Sequence, residues 1–166
     1  YMLHKSGWFG INIDMEDDKI STFNLTRPND FNYLGAISDK VENVKIFRNQ
    51  KFGVSSTINK DIIKKDDIID EILIKTKTLN NVLELSPFKN KEIDLLNIDT
   101  EGNDFKVLKS LNFEIYNPKI IIIETHLKNI QEIILSEQYK YLIDKKYNLV
   151  SWNIYSLIFI KKDFKF

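Results

Sequence analysis

Apolar residues fall along this chain on two spacings, alternate positions and positions three or four apart, and the spacings predict strands and helices in turn. Residues 10–14, Gly-Ile-Asn-Ile-Asp, alternate and end on an acid, which predicts a short strand. Residues 15–25 predict a helix stopped by Pro28. Strands are expected at 31–38 and 41–48, with a tight turn at Asp39-Lys40 between them. Residues 51–60 are polar, with Gly53, Ser55, Ser56 and Thr57, and read as a loop. An extended stretch over 68–77 and a short helix over 79–85, ending before Pro87, come next. The apolar run 93–98 predicts a strand, and 103–111 a helix with Phe105, Val107, Leu108 and Leu111 on one face. After Pro118, the run Lys119 to Glu124 predicts a fully buried strand. Residues 129–145 carry Ile130, Ile133, Ile134, Tyr141 and Leu142 at helical spacing and predict one helix. Residues 149–153 and 157–161 predict an antiparallel pair turning around 154–156. This order predicts an α/β fold in which strands 10–14, 31–37, 93–98 and 119–124 are parallel in one sheet, with the terminal pair as an antiparallel edge.

The strand ends carry the candidate chemistry. Run 93–98 stops at Asp99-Thr100-Glu101-Gly102, where a parallel strand leaves the sheet and a helix starts. In open α/β sheets ligands bind at that carboxyl edge. Two carboxylates there repel each other unless a cation, a donor or a substrate hydroxyl lies between them. The plainer alternative is that Thr100 and Asp104 only cap the helix and meet its dipole. Two other strands end the same way, at Asp14 and at Glu124-Thr125-His126. A strand-end acid such as Asp14 accepts hydrogen bonds from ribose hydroxyls in nucleotide-binding sheets; it serves equally as a helix N-terminal acid.

Composition narrows the class without deciding it. The 166 residues suffice for one domain with a sizeable core, and no repeat or linker divides residues 1–166. Hydrophobic residues at 43% and charged residues at 29% describe a globular chain rather than a disordered one. Basic and acidic residues number 24 each, which gives no electrostatic case for nucleic acid or an anionic membrane. All the basic residues except Arg27 and Arg48 are Lys, and Ile and Asn are abundant, a mix typical of A+T-rich codon usage. With no cysteine, disulfides and thiolate metal sites are excluded. No apolar run reaches a membrane span.

The segments GWFGINID at 7–14, IDLLNIDTEGNDFKVLKSL at 93–111 and PKIIIIETH at 118–126 resemble FkbM-type methyltransferases. The polar loop with VSST at 54–57 and the closing WNIYSLIF at 152–159 are similar to that family's layout too. The resemblance covers nearly the whole chain. It implies a Rossmann-like class I sheet, S-adenosylmethionine as cofactor, and methylation of a hydroxyl on a small molecule or glycan by a cytoplasmic bacterial enzyme. By this likeness Asp14 holds the cofactor's ribose, Ala36 and Ile37 lie against adenine, and Asp99 sits beneath the methyl donor and acceptor. Such enzymes begin with a strand and a glycine-rich turn. Neither occurs before Gly10, and Tyr1 is not an initiator Met, so the chain is expected to be incomplete at its N-terminus, with a gap between strands 10–14 and 93–98.

A hydroxyl is a poor nucleophile at neutral pH and needs a general base or a metal to lower its pKa. Asp99, Glu124 and His126 are the candidate catalytic residues. Asp99, Glu101, Glu124 and His126 together offer oxygen and nitrogen donors that suit a divalent cation, or else His126 is a base oriented by an acid. His4 reads as structural, and Trp8, Trp152, Phe105 and Phe159 as core or sheet-flank packing. Two other classes stand beside the enzyme: a non-catalytic interaction domain, and a dinucleotide enzyme such as a dehydrogenase. The latter needs a Gly-x-Gly-x-x-Gly fingerprint, which glycines at 7, 10, 35, 53 and 102 do not form.

Overall fold

The computed structural model describes residues 2–49, 55–58 and 68–164. The chain forms two compact units, Tyr1–Lys91 and Glu92–Phe166.

The first unit opens with α1 (Met2–Lys5), followed by β1 (Ile11–Asp14), α2 (Asp17–Thr26) and β2 (Phe31–Leu34). β1 and β2 pair in parallel, Ile11 opposite Phe31 through Asp14 opposite Leu34. Their polar positions meet across the pair. Asn12 Nδ2 donates to Asn32 Oδ1 at 2.8 Å and to Asp30 Oδ2 at 3.0 Å, and Arg27 donates to Asn12 Oδ1 at 3.1 Å. The strand expected over 31–38 ends early because its partner changes. Gly35 N–H still bonds Asp14 O, but Ile37 then bridges Lys77 in parallel.

A second sheet in this unit has the order β4-β3-β5, from β3 (Asn43–Asn49), β4 (Ser55–Thr57) and β5 (Ile68–Lys75), all antiparallel. The expected loop at 51–60 is thus partly strand: 55–57 pair with β3, while 51–54, 59 and 60 lie outside the described residues. Polar side chains do not forbid a strand whose backbone groups find a ladder. Thr76 is fully buried and ties down the turn before β3, donating to Lys40 O at 2.8 Å and accepting from Glu42 N–H at 3.0 Å. Helix α3 (Leu79–Leu85) starts at a reciprocal box in which Thr78 and Asn81 satisfy each other's backbone N–H.

The second unit carries β6 (Leu95–Ile98), α4 (Asp104–Lys109), β7 (Ile120–Glu124), α5 (Ile130–Leu135), α6 (Glu137–Asp144), β8 (Tyr147–Asn153) and β9 (Ser156–Lys161). Its sheet order is β6-β7-β9-β8. β6 and β7 are parallel neighbours, as expected, and β9 enters antiparallel between β7 and β8. The expected single sheet is therefore corrected. The parallel pairs β1–β2 and β6–β7 both form, but in separate sheets: β1–β2 is a sheet of two strands among the described residues, whereas β6–β7 is extended by β9 and β8.

β7 is also less uniformly buried than a run of four isoleucines suggests. Ile121 and Ile123 have no exposure, whereas Ile120 and Ile122, on the other face, are only half-buried. The core beneath them holds Leu108, Ile133, Leu142, Tyr147, Leu157 and Phe159, all wholly buried. Phe105 and Phe113 meet the Tyr141 ring edge-on at 5.7 and 5.9 Å. Trp8 and Trp152, expected in packing, remain 43% and 37% exposed.

The expected helix over 129–145 is two helices. Ser136 ends α5 and caps α6, its Oγ accepting from Tyr139 N–H at 3.1 Å and donating to Ile133 O at 2.7 Å. A serine hydroxyl that satisfies the next helix's orphan N–H favours a new start over continuation. Among the described residues no helix is long and apolar enough to cross a membrane.

Candidate active site

The acidic turn after β6 is built around a buried carboxylate. Asp104, in the first turn of α4, is only 6% exposed. Its Oδ1 accepts from Thr100 N–H at 2.8 Å and from the Thr100 hydroxyl at 3.0 Å, and its Oδ2 from Gly102 N–H at 3.1 Å. These bonds draw the chain back on itself, which places Glu101 at φ 51° and Gly102 at φ 87°. Glycine tolerates that region; glutamate does so at a cost on the order of 1 kcal/mol, held here by the surrounding bonds. Of the two acids flanking Thr100, Asp99 and Glu101 are both exposed.

Pairing of β6 with β7 sets Ile98 opposite Ile123, so Asp99 and Glu124 leave the sheet at the same level. Glu124 Oε1 lies 3.3 Å from His126 Nε2, with the glutamate side chain 12% exposed and the histidine 57%. Glu124 Oε2 is buried with no hydrogen-bond partner among the described residues. Burial pushes the Glu124 carboxyl up to about 7, and the charges of Asp104, Asp99 and Glu101 push the same way, against the Glu101 backbone N–H. A carboxyl near 7 exchanges protons at neutral pH, the property a general base or acid needs.

Glu101, Glu124 and His126 each bring a ligand atom within 4.8 Å of the others. Asp99 is not in that group; it faces Glu124 as a charge. An oxygen–nitrogen set of this kind suits a hard or borderline divalent cation.

Asp14 and its neighbours belong to the first unit. Asp14 Oδ1 accepts from Glu16 N–H at 2.9 Å, and its Oδ2 lies 3.2 Å from Lys19 Nζ. Its carboxylate thus closes the turn that precedes α2, whose N-cap is Glu16. Ala36 and Ile37 are 2% and 8% exposed, where the chain crosses from β2 to its bridge with Lys77.

A family model described as Methyltransferase FkbM domain matches residues 1–144. The chain belongs to the FkbM methyltransferase family. No curated protein and no solved structure matches it. The FkbM match ends inside the hairpin-bearing unit, so β8 and β9 lie outside it.

In this FkbM chain, sequence reasoning understated Asp104, seen only as a helix cap, and overlooked Tyr155. Tyr155 O accepts from Thr125 N–H at 2.8 Å, and its ring lies 5.8 Å from that of His126. The signal for Asp104 was an acid two residues after the turn glycine. For Tyr155 there was none, since its position depends on which strand lies beside β7.

Proposed function

We propose that this FkbM chain works as one Rossmann-like class I domain that methylates a hydroxyl of a small molecule or glycan with S-adenosylmethionine. The observation that carries the reading is Glu124, a strand-end carboxyl pushed up to about 7 and paired with His126 at 3.3 Å. A parallel β6–β7 pair closed by an antiparallel last strand supports the Rossmann-like layout. Bound S-adenosylmethionine would supply an electrophilic methyl group on a positive sulfur. The negative charges of Asp99, Glu101, Asp104 and Glu124 favour that cation nearby. On the family's pattern Asp14 would accept from the ribose, in exchange for its present bonds to Glu16 N–H and Lys19.

At the acceptor, Glu124 or His126 would take the hydroxyl proton as the oxygen–carbon bond forms and the carbon–sulfur bond of the donor breaks, its electron pair staying on the then neutral sulfur. His126, oriented by Glu124 Oε1, keeps the proton in the site. If a divalent cation takes part, Glu101, Glu124 and His126 would hold it, and it would lower the hydroxyl's pKa.

A non-catalytic binding domain is the second reading. It is favoured by Asp14, whose carboxylate is already engaged by Glu16 N–H and Lys19.

The test is methyl transfer by the full chain from labelled S-adenosylmethionine to a panel of hydroxyl acceptors. Asp99→Asn should lower turnover by about 10²-fold or more with the fold kept. Asp14→Ala should weaken cofactor binding more than turnover at saturation. Absence of cofactor binding by the unaltered chain would leave the binding-domain reading, and full turnover in Asp99→Asn would remove Asp99 from the mechanism.

A further inference from the structure

We propose that Tyr155, at the tip of the β8–β9 hairpin, is the surface on which a sugar ring of the acceptor stacks, so that the methyl acceptor is a carbohydrate hydroxyl. This deepens the methyltransferase reading and rests on it.

The hairpin tip is held in place. β9 pairs with β7 up to Ser156 opposite Glu124, and Thr125 N–H then bonds Tyr155 O at 2.8 Å. On the other side, Trp152 Nε1 donates to Ile154 O at 2.9 Å, and Ile154 takes a left-handed φ of 50°. A branched residue in that conformation is uncommon and persists only where its surroundings fix it. The backbone is thus anchored while the side chains stay out: Tyr155 is 62% exposed and Ile154 70%. A large ring left in water on a fixed backbone forgoes burial that an aromatic ordinarily gains. Its neighbour is the proposed proton acceptor, since the Tyr155 and His126 rings lie 5.8 Å apart.

The polar side of the site sets the ligand's chemistry. Glu101 and Glu124 are acceptors when ionised, and Glu124 Oε2 has no donor among the described residues. An anionic substrate would meet the charges of Asp99, Glu101 and Asp104 and be repelled. A sugar ring meets both demands, with hydroxyl donors on its edge for the carboxylates and a C–H face for Tyr155. An organic cation would also suit carboxylates and a ring face; it is the outcome that counts against the proposal.

Saturation-transfer NMR on the full chain decides the matter, with the methyl glycosides of glucose, galactose and mannose and with n-butylamine as probes. At least one glycoside should receive saturation at its ring C–H protons. Tyr155→Ala should weaken its binding by about fivefold or more, and Tyr155→Phe should keep it. In methyl transfer to that sugar, Tyr155→Ala should raise KM with kcat little changed. Should the Ala variant fail to fold, contacts between glycoside C–H and Tyr155 ring protons in the unaltered chain replace it as the readout. Binding of n-butylamine alone, no glycoside binding, unchanged binding in Tyr155→Ala, or absent ring contacts would each overturn the proposal. Calorimetry with S-adenosylmethionine is run separately. Loss of cofactor binding there defeats the enzyme reading while a Tyr155-dependent sugar signal stands.

Discussion

Replacing Glu124 with Gln should make the protein more stable at alkaline pH while impairing it as a catalyst. Glu124 ordinarily titrates at 4.5 and is pushed up to about 7 in the folded chain. The folded state therefore binds this proton more tightly than the unfolded chain does. A group of this kind contributes stability that is complete below about pH 4.5 and is lost as pH rises to about 7. At roughly 1.4 kcal/mol per pH unit, the gap corresponds to on the order of 3 kcal/mol. Asp99 and Glu101 are exposed and their charges are screened by water, which brings the expected figure nearer about 2 kcal/mol. Glutamine is neutral at every pH and avoids this loss. Urea unfolding of both proteins at pH 4, 6 and 8, with chelator present, should show near parity at pH 4. At pH 8 the variant should be ahead by about 2–3 kcal/mol. Methyl transfer by the variant should fall sharply, the usual opposition of function and stability at a site of clustered charge. A stability difference that is constant from pH 4 to 8, or a wild type more stable at pH 8, would refute the argument that Glu124 is a strained, proton-holding carboxyl.

Asp104→Asn puts an amide N–H₂ where Gly102 N–H now donates and should cost about 1.5–3 kcal/mol, read as a lower urea midpoint at unchanged slope. The same change removes a charge facing Glu124, so the Glu124 titration followed by carbon NMR should move down; a stationary titration would contradict the stated cause. Ser136→Ala removes the α6 cap and should cost about 1 kcal/mol, lowering Tm by about 2–4 °C, whereas an unchanged Tm would mean that packing alone sets the helix break.

What the sequence determined by itself is local. The bounds of α3 follow from Thr78 and Asn81 at one end and Pro87 at the other, because a capping box and a missing N–H act within a few residues. The β6 turn was legible because an apolar run can stop at Asp99-Thr100-Glu101-Gly102 only by leaving the sheet. The parallel β6–β7 neighbours and the closing hairpin were also legible, from apolar runs separated by a helix in one case and a short turn in the other. The break at Ser136 was not, because apolar spacing continues across it and a serine hydroxyl caps or back-bonds according to its surroundings. Nor were the membership of β1 and β6 in separate sheets, the switch of partner at Ile37, or the short strand at Ser55–Thr57. The site divides in the same way. Candidates Asp99, Glu101, Glu124 and His126 could be named from strand ends. That Glu101 rather than Asp99 joins Glu124 and His126, that Asp104 is the buried anchor, and that Tyr155 stands beside His126 depended on tertiary structure. A strand end declares its residue types along the chain, but burial and charge–charge distance come from which strand lies alongside, and that choice is made by the whole core at once.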